Sequence, residues 1–500
     1  MPRTPSLALA GALTGAAGIV TSQATAWLLR ADNPPVEAVA SAVRDLTPGP
    51  VAHWLIQRVG DHDKPLLIAG TLVVLLALCA WTGVLARRRP LVADLVYVVL
   101  AVIGLLSVRR LDDSTIGSTF AVAVGFITWV VVNRFLTAPL LAPDTSDGLA
   151  RRDFLLRAGG VVVAVAGAGI VGRISNQRRR DVEQARDLVR LSGQRGAVPA
   201  GANVKVDGLP PWRTPNDDFY EIDTVFAPPL IRPSEWKLRV HGLVENELVL
   251  TYDNLVKRKQ TGAWVTLCCV SNEVGGDLIG NAWWAGVLIR EVLAEAKPLA
   301  GADAVLQTSQ DGWTCGTPLA ALTDDRNAML ALEMNGDPLP IEHGFPVRMV
   351  VPGLYGYVSA TKWLVDLEVS RFSEIDAYWT KRGWSEHGPV KTQSRIDVPR
   401  DGSDVDAGMV GVGGVAWAQH TGIEKVEYQL DGGPWQTAKL GMVPSLDTWV
   451  QWTGDVDIDP GPHTLVVRAT DKSGYTQTAV QTDVIPNGAT GWHSIQFDAR

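Results

Sequence analysis

Val265-Thr266-Leu267-Cys268-Cys269-Val270-Ser271-Asn272 begins as a β-branched strand and ends in a small-residue turn. Such a transition sets a side chain at a strand end, where it can face a cleft. Two of the chain's four cysteines are neighbours here. A thiolate is a soft ligand, suited to a redox-active transition metal. The competing reading is a pair of cysteines that close a buried strand and do no chemistry, since free Cys is among the most buried residue types. Spacing alone leaves both open.

Outward from this octet, composition narrows the class. The chain has 500 residues, more than one domain ordinarily needs. Its hydrophobic content of 46% is high for a wholly soluble protein. A formal charge of −8 gives no support to a nucleic-acid partner, which calls for a basic face. Cys79 lies in an apolar run and Cys315 stands alone, so the cysteines are not a disulfide framework. There is no Cys-x-x-Cys-His for haem attachment and no Cys-rich cluster for an iron–sulfur centre.

Residues 1–175 read as a transmembrane region. Five apolar stretches, near 7–29, 66–84, 91–108, 115–133 and 154–172, each approach the ~20 residues that cross a hydrocarbon core. Arg3, Arg87-Arg88-Arg89 and Arg151-Arg152 mark the cytoplasmic side, so the chain leaves the fifth span outside. Arg109 and Arg110 run against this rule, but Asp112 and Asp113 follow them. Asp94 reads as interfacial. In the outer loop, Val36, Val39, Ala40 and Val43 recur at helical spacing and predict a helix on the interface. No histidine lies inside a span, so these helices read as an anchor or partner surface, not as a b-type haem site. The segment Ala150-Arg151-Arg152-Asp153-Phe154-Leu155-Leu156-Arg157-Ala158-Gly159 is similar to a twin-arginine export signal; ordinary positive-inside charge is the alternative. The expected location is a bacterial cell membrane, multi-pass, with the catalytic part outside.

The rest divides by pattern. Residues 176–200 are polar and read as a helical linker or stalk. Residues 201–389 mix Trp, Pro and Gly with strands such as Trp236-Lys237-Leu238-Arg239-Val240 and helical runs such as 287–296, an α+β domain. Residues 390–500 are short strands with turn signals, for example Val426-Glu427-Tyr428-Gln429-Leu430 before Asp431-Gly432-Gly433, which predicts an immunoglobulin-like β-sandwich. The fold class is therefore multidomain: a five-helix transmembrane region, an α+β domain and a sandwich.

Several segments resemble the sulfite oxidase family of molybdopterin enzymes in order and spacing. The octet resembles its T-L-x-C ligand run, with Cys269 on the molybdenum-ligand position and Cys268 on the variable one. Asn216-Asp217-Asp218-Phe219-Tyr220-Glu221 resembles its early pterin-touching segment. Trp283-Trp284-Ala285-Gly286-Val287, His343-Gly344-Phe345-Pro346-Val347-Arg348 and Gly356-Tyr357-Val358-Ser359-Ala360-Thr361-Lys362-Trp363 resemble later ones, the last being its phosphate-holding loop. Gly414-Val415-Ala416-Trp417 and Leu430-Asp431-Gly432-Gly433 resemble its sandwich domain. The resemblance covers about residues 205–495.

The resemblance implies an Mo-molybdopterin cofactor with Cys269 on the metal. It assigns Asn216, Asp217, Tyr220, Glu221, Thr314, His343, Arg348, Ser359, Thr361 and Lys362 to the cofactor. Arg348 can fork onto a phosphate or the pterin edge, and Lys362 supplies a compact charge. Asn272, Glu273 and Trp313 join Cys269 in the expected catalytic set. Two of these depart from sulfite oxidases proper: Glu273 stands where they place a substrate-binding Arg, and Trp313 where they place a Tyr. A carboxylate there disfavours a dianion. The expected activity is oxygen-atom transfer to or from a small sulfoxide, N-oxide or similar molecule, akin to exported methionine-sulfoxide reductase catalytic subunits. A sulfite dehydrogenase with an altered pocket and a metal-free cell-envelope scaffold are the alternatives. Electrons would pass to a separate cytochrome or the quinone pool, and relatives allow a homodimer through the sandwich.

Overall fold

A computed structural model describes residues 3–29, 31, 34–47, 63–110, 116–141, 147–175, 178–191, 196–225 and 227–500. The chain forms two compact units: Met1–Asp181 with Val225–Pro229, and Val182–Thr224 with Leu230–Arg500.

The first unit is helical: α1 (Arg3–Leu28), α2 (Pro35–Leu46), α3 (Asp63–Leu85), α4 (Pro90–Arg110), α5 (Ile116–Leu141) and α6 (Asp147–Ser175). All but α2 are long and apolar enough to cross a membrane. Helix α1 is the hub, packing on α3, α5 and α6. Glycine permits this: a Cβ on Gly83 would lie 2.2 Å from the Leu7 carbonyl oxygen, so α1 and α3 touch backbone to backbone. The helix expected in the outer loop forms as α2, with Ala38 and Ala40 buried. Asp94, read as interfacial, has a partner the sequence did not show: Arg134 Nη2 lies 2.7 Å from its carboxylate. The twin-arginine-like segment lies within α6. Asp112, Asp113 and the loop at 48–62 lie outside the described residues.

The second unit takes up the segment expected as a stalk. Helix α7 (Arg178–Leu188) docks there: Val182 is buried in its core, and Arg186 donates to the carbonyls of Leu339 and Pro338 at 2.8 Å each. Two sheets carry the α+β part. Their strands are β1 (Lys237–Gly242), β2 (Leu248–Thr251), β3 (Thr261–Cys268), β4 (Ile279–Leu288), β5 (Ala304–Ser309), β6 (Thr314–Pro318), β7 (Met329–Met334), β8 (Asp337–Pro338), β9 (Arg348–Val350) and β10 (Leu364–Ser370). One sheet runs β2-β1-β10-β5-β6; the other runs β3-β4-β7-β8, with β9 on β7. The helix expected from 287 starts at Ile289, because Val287 and Leu288 complete β4. Strands β3 and β4 are buried on both faces, which is why their sequences are near-continuous hydrophobic runs.

The C-terminal part holds β11 (Gln393–Val398), β12 (Asp404–Val405), β13 (Gly408–Trp417), β14 (Ile423–Leu430), β15 (Gln436–Thr437), β16 (Lys439–Leu440), β17 (Val450–Ile458), β18 (Gly461–Asp471) and β19 (His493–Ala499). They form two sheets, β11-β13-β17-β16 and β12-β19-β18-β14-β15, sharing a core that includes Val412, Trp452, Leu465 and Phe497. The border with the α+β part is not a hinge. Trp212 and Trp449 each donate an indole N–H to the other's carbonyl, at 3.1 and 2.9 Å. Gln451 binds Val204 N and the Pro210 carbonyl, so the chain just after 201 lies on β17 rather than on the α+β sheets. Strand β3 ends its sheet, and an exposed strand edge is a liability. Here Thr266 N donates to the Asp447 carbonyl at 2.9 Å, and Trp449 N donates to Thr266 Oγ1 at 2.8 Å, covering that edge.

Candidate active site

Cys269 is the first residue past β3, in the connection to β4. The connection is closed on itself. Cys269 N donates to the Leu278 carbonyl at 2.9 Å, Asn272 N to the Cys269 carbonyl at 3.1 Å, and Gly276 N to the Glu273 carbonyl at 3.0 Å. Asn272, expected among the catalytic residues, accepts from Leu278 N at 2.9 Å, so its amide oxygen holds the turn shut. Gly275 has φ +80°, and a Cβ there would sit 2.2 Å from the His493 ring, so no other residue fits. His493 Nδ1 accepts from Ile396 N at 3.0 Å, and Arg395 Nη1 donates to the Gly276 carbonyl at 2.7 Å. The C-terminal sheets therefore buttress the cysteine turn directly.

Cys269 lines a cleft of about 110 Å³. The structure brings Tyr220, Trp313, His343, Arg348 and Lys362 to the same cleft, from segments as far apart as 142 positions in sequence. The other expected residues are not among its lining. Asn216 ties its segment to the β7–β8 turn: its Oδ1 accepts from Asn335 at 2.7 Å, and its carbonyl meets His343 Nε2 at 3.0 Å. Asp217, Glu221 and Glu273 are exposed. Thr314 accepts from Tyr378 N at 3.1 Å. Ser359 is buried and donates to the Tyr355 carbonyl at 2.9 Å, fixing the loop that ends in Lys362, and Thr361 is buried beside it. Glu273 is exposed and stands outside the lining of the cleft, where solvent screens its charge.

Burial dominates the electrostatics. It pushes the Cys269 thiol up, while the backbone N–H groups of Ser271 and Val270 favour the thiolate. Burial, and then the neighbouring Cys269, hold the Tyr220 hydroxyl well above its usual range, so it stays protonated. Arg348 is lowered to about 10 by burial and remains charged at neutral pH. Its Nη1 donates to the His343 carbonyl at 3.1 Å, its Nη2 to the Ala360 carbonyl at 3.3 Å, and its guanidinium lies 4.8 Å over the Trp284 ring. His343 is lowered to about 4 by burial and then by Arg348, so it is neutral. Facing the Asn216 carbonyl, its Nε2 carries the proton and donates. Lys362 Nζ donates to Asp223 at 2.8 Å and to the Glu342 carbonyl at 2.9 Å.

Sequence reasoning missed part of the lining. Asp223 gave no signal, because its partner Lys362 lies 139 residues away. Ser309, Asp311, Trp379 and Trp384 also line the cleft. The Ser309 hydroxyl is buried and has no hydrogen-bond partner in the protein, as a ligand-facing group would. Among the described residues no cluster of three His, Cys, Asp or Glu can hold a metal. A metal at Cys269 would therefore bring most of its own ligands. A cofactor with a dithiolene and a phosphate fits this set: one sulfur, two buried cations and an orphaned hydroxyl.

Comparison with known proteins agrees. The model of the oxidoreductase molybdopterin binding domain matches residues 225–379. Mitochondrial sulfite oxidase of Homo sapiens is 34% identical over 270 residues, 45% of this chain and 49% of that protein. The uncharacterized oxidoreductase YuiH of Bacillus subtilis is 30% identical over 199 residues, 40% of this chain and 91% of that protein. The crystal structure of the sulfane dehydrogenase SoxCD from Paracoccus pantotrophus superposes with a TM-score of 0.51 at 25% identity, covering 57% of this chain and 81% of that one. The chain spans about half the length of the human and macaque sulfite oxidases it matches.

Proposed function

Because the chain belongs to the sulfite oxidase family of molybdopterin-dependent oxidoreductases, we propose that it is a membrane-anchored member that transfers an oxygen atom to or from a small neutral or cationic substrate outside the cytoplasm. Bound Mo-molybdopterin supplies a metal that cycles by two electrons. The chain's own residues do the rest. Cys269 gives the metal its protein thiolate. Arg348 and Lys362 hold the anionic part of the cofactor, and Ser309 offers it a hydroxyl. Tyr220, protonated and beside Cys269, can donate a hydrogen bond to an oxygen at the reacting centre. Trp313, Trp379 and Trp384 supply apolar wall to the cleft.

The observation that disfavours an anionic substrate is the state of the two cations. Arg348 is committed to two carbonyls and Lys362 to Asp223, and the cofactor would claim them further. No Arg stands in the cysteine turn to receive a dianion. Sulfoxides and N-oxides fit best. Sulfite oxidation is the second reading, favoured by the likeness to the human sulfite oxidase. The five apolar helices support the anchor, and the Arg distribution supports an external catalytic unit. A cytochrome or the quinone pool would exchange electrons. The C-terminal sheets read as an immunoglobulin-like sandwich, the surface through which a homodimer would form.

Metal and pterin analysis of the purified protein, followed by assays with sulfite and with sulfoxides, tests this. Molybdenum near one per chain, lost by at least about ten-fold in Cys269→Ser and kept in Cys268→Ser, is expected. A metal-free protein would instead be the scaffold. Rapid sulfite turnover without sulfoxide reduction would overturn the substrate assignment.

A further inference from the structure

The geometry points to a cation-selective aromatic subsite in the cleft, built from Trp313, Trp379, Trp384 and Tyr357 with the carboxylate of Asp311, that binds an ammonium or sulfonium group of the substrate. This deepens the oxygen-atom-transfer reading and rests on it for the word substrate. The rings arrive from three separate places: Trp313 from the β5–β6 turn, Tyr357 from the loop that ends in Lys362, and Trp379 and Trp384 from the chain after β10. Trp379 and Trp384 meet edge to face, with centroids 6.2 Å apart and planes at 78°. Tyr357 lies 5.9 Å from Trp384. Trp384 thus joins Tyr357 and Trp379 into one aromatic wall, and Trp313 lines the same cleft. Negative ring faces attract a cation within about 6 Å, and an onium group without strong hydration gains most.

Burial of apolar area alone would account for three indoles, but not for where they sit. Trp313 and Trp379 stay part-exposed on the cleft while Trp384 is buried in its wall, and the two buried cations of that cleft are tied to acceptors of their own. Asp311 stands in the same β5–β6 turn as Trp313, so one turn supplies both a ring and a carboxylate. The basic side chains of the Trp379 segment are engaged elsewhere: Arg382 lies 3.6 Å over the Tyr378 ring and Lys381 Nζ lies 3.7 Å from Asp376, and neither lines the cleft. A cation is therefore met by rings and carboxylate together.

Titration of the full-length protein in detergent with choline, and with 3,3-dimethyl-1-butanol as its uncharged isostere, tests the subsite by calorimetry without turnover. Choline is expected to bind about ten-fold more tightly than the isostere. Trp379→Leu should abolish that preference, Trp379→Phe should keep most of it, and Asp311→Asn should reduce it several-fold, all with unchanged molybdenum content. Equal binding of the two probes, binding of neither, or a preference that survives Trp379→Leu would overturn the proposal. The reading of the metal centre fails on different data, namely absent molybdenum or turnover of sulfite alone, and the binding ratio is measured whichever way that falls.

Discussion

Arg395→Met separates what stabilises this fold from what positions its cysteine. Arg395 Nε donates to Asp397 at 2.7 Å, and both side chains are 12% exposed. Its Nη1 donates to the Gly276 carbonyl in the Cys269 turn. Removing the guanidinium leaves a buried carboxylate alone, which costs about 3–5 kcal/mol. At about 2 °C per kcal/mol for a unit of this size, the melting temperature should fall by roughly 8 °C. Burial already raises the Asp397 carboxyl and Arg395 holds it down, so the variant raises it further. A carboxyl raised in the folded state binds a proton that the unfolded chain does not. The deficit should therefore shrink as pH falls from 7 toward 4. Adding Asp397→Leu removes the stranded charge and should restore stability to within about 1 kcal/mol. It does not restore the bond to Gly276, so cofactor should still dissociate about ten-fold faster, for a lost charged hydrogen bond of about 1.5 kcal/mol. Thermal unfolding by tryptophan fluorescence and molybdenum retention during dialysis read the two effects. Wild-type melting of the single variant, or a double variant that recovers stability and cofactor retention together, would refute the reasoning.

Two further outcomes follow from the same geometry. His343 and His493 are each lowered from 6.5 to about 4 by burial. The unfolded chain takes up protons below 6.5 that the native state refuses, so stability falls as pH drops through 6.5 toward 4, by about 3 kcal/mol for each histidine. His493→Gln, which keeps an acceptor for Ile396 N, should lessen that acid slope by about one proton in denaturant titrations; an unchanged slope would remove His493 from the account. Glu273→Gln should change kcat/KM for sulfite or sulfoxide by less than about two-fold, since an exposed charge outside the cleft is screened. A ten-fold gain for sulfite would restore the argument made from sequence.

The family and the candidate cysteine were legible in the chain because they ride on local pattern. A β-branched run followed by a small-residue turn puts Cys269 at a strand end, and the segments around His343-Gly344-Phe345-Pro346-Val347-Arg348 and Lys362-Trp363 carry their order with them. The five apolar helices are likewise a property of composition over about 20 residues, and the docked helix at 178–188 shows where such local reading stops: amphipathic spacing predicts a helix, not what it rests on.

What only the tertiary structure decided are the pairings between distant positions. The sequence by itself determined a strand end at Cys269 and, through the resemblance of its segments, the expectation that Arg348 and Lys362 would join it. Tertiary packing decided that Asp223 holds Lys362 across 139 residues, that Asn272 and Ser359 fix turns instead of facing the cleft, and that Arg395 and His493 of the C-terminal sheets brace the cysteine turn. It also turned Glu273 out to solvent. The physical reason is common to all of these. Local conformation follows from neighbouring side chains and backbone sterics, whereas a charge's effect depends on its distance and its solvation, and these exist only once the chain has closed on itself.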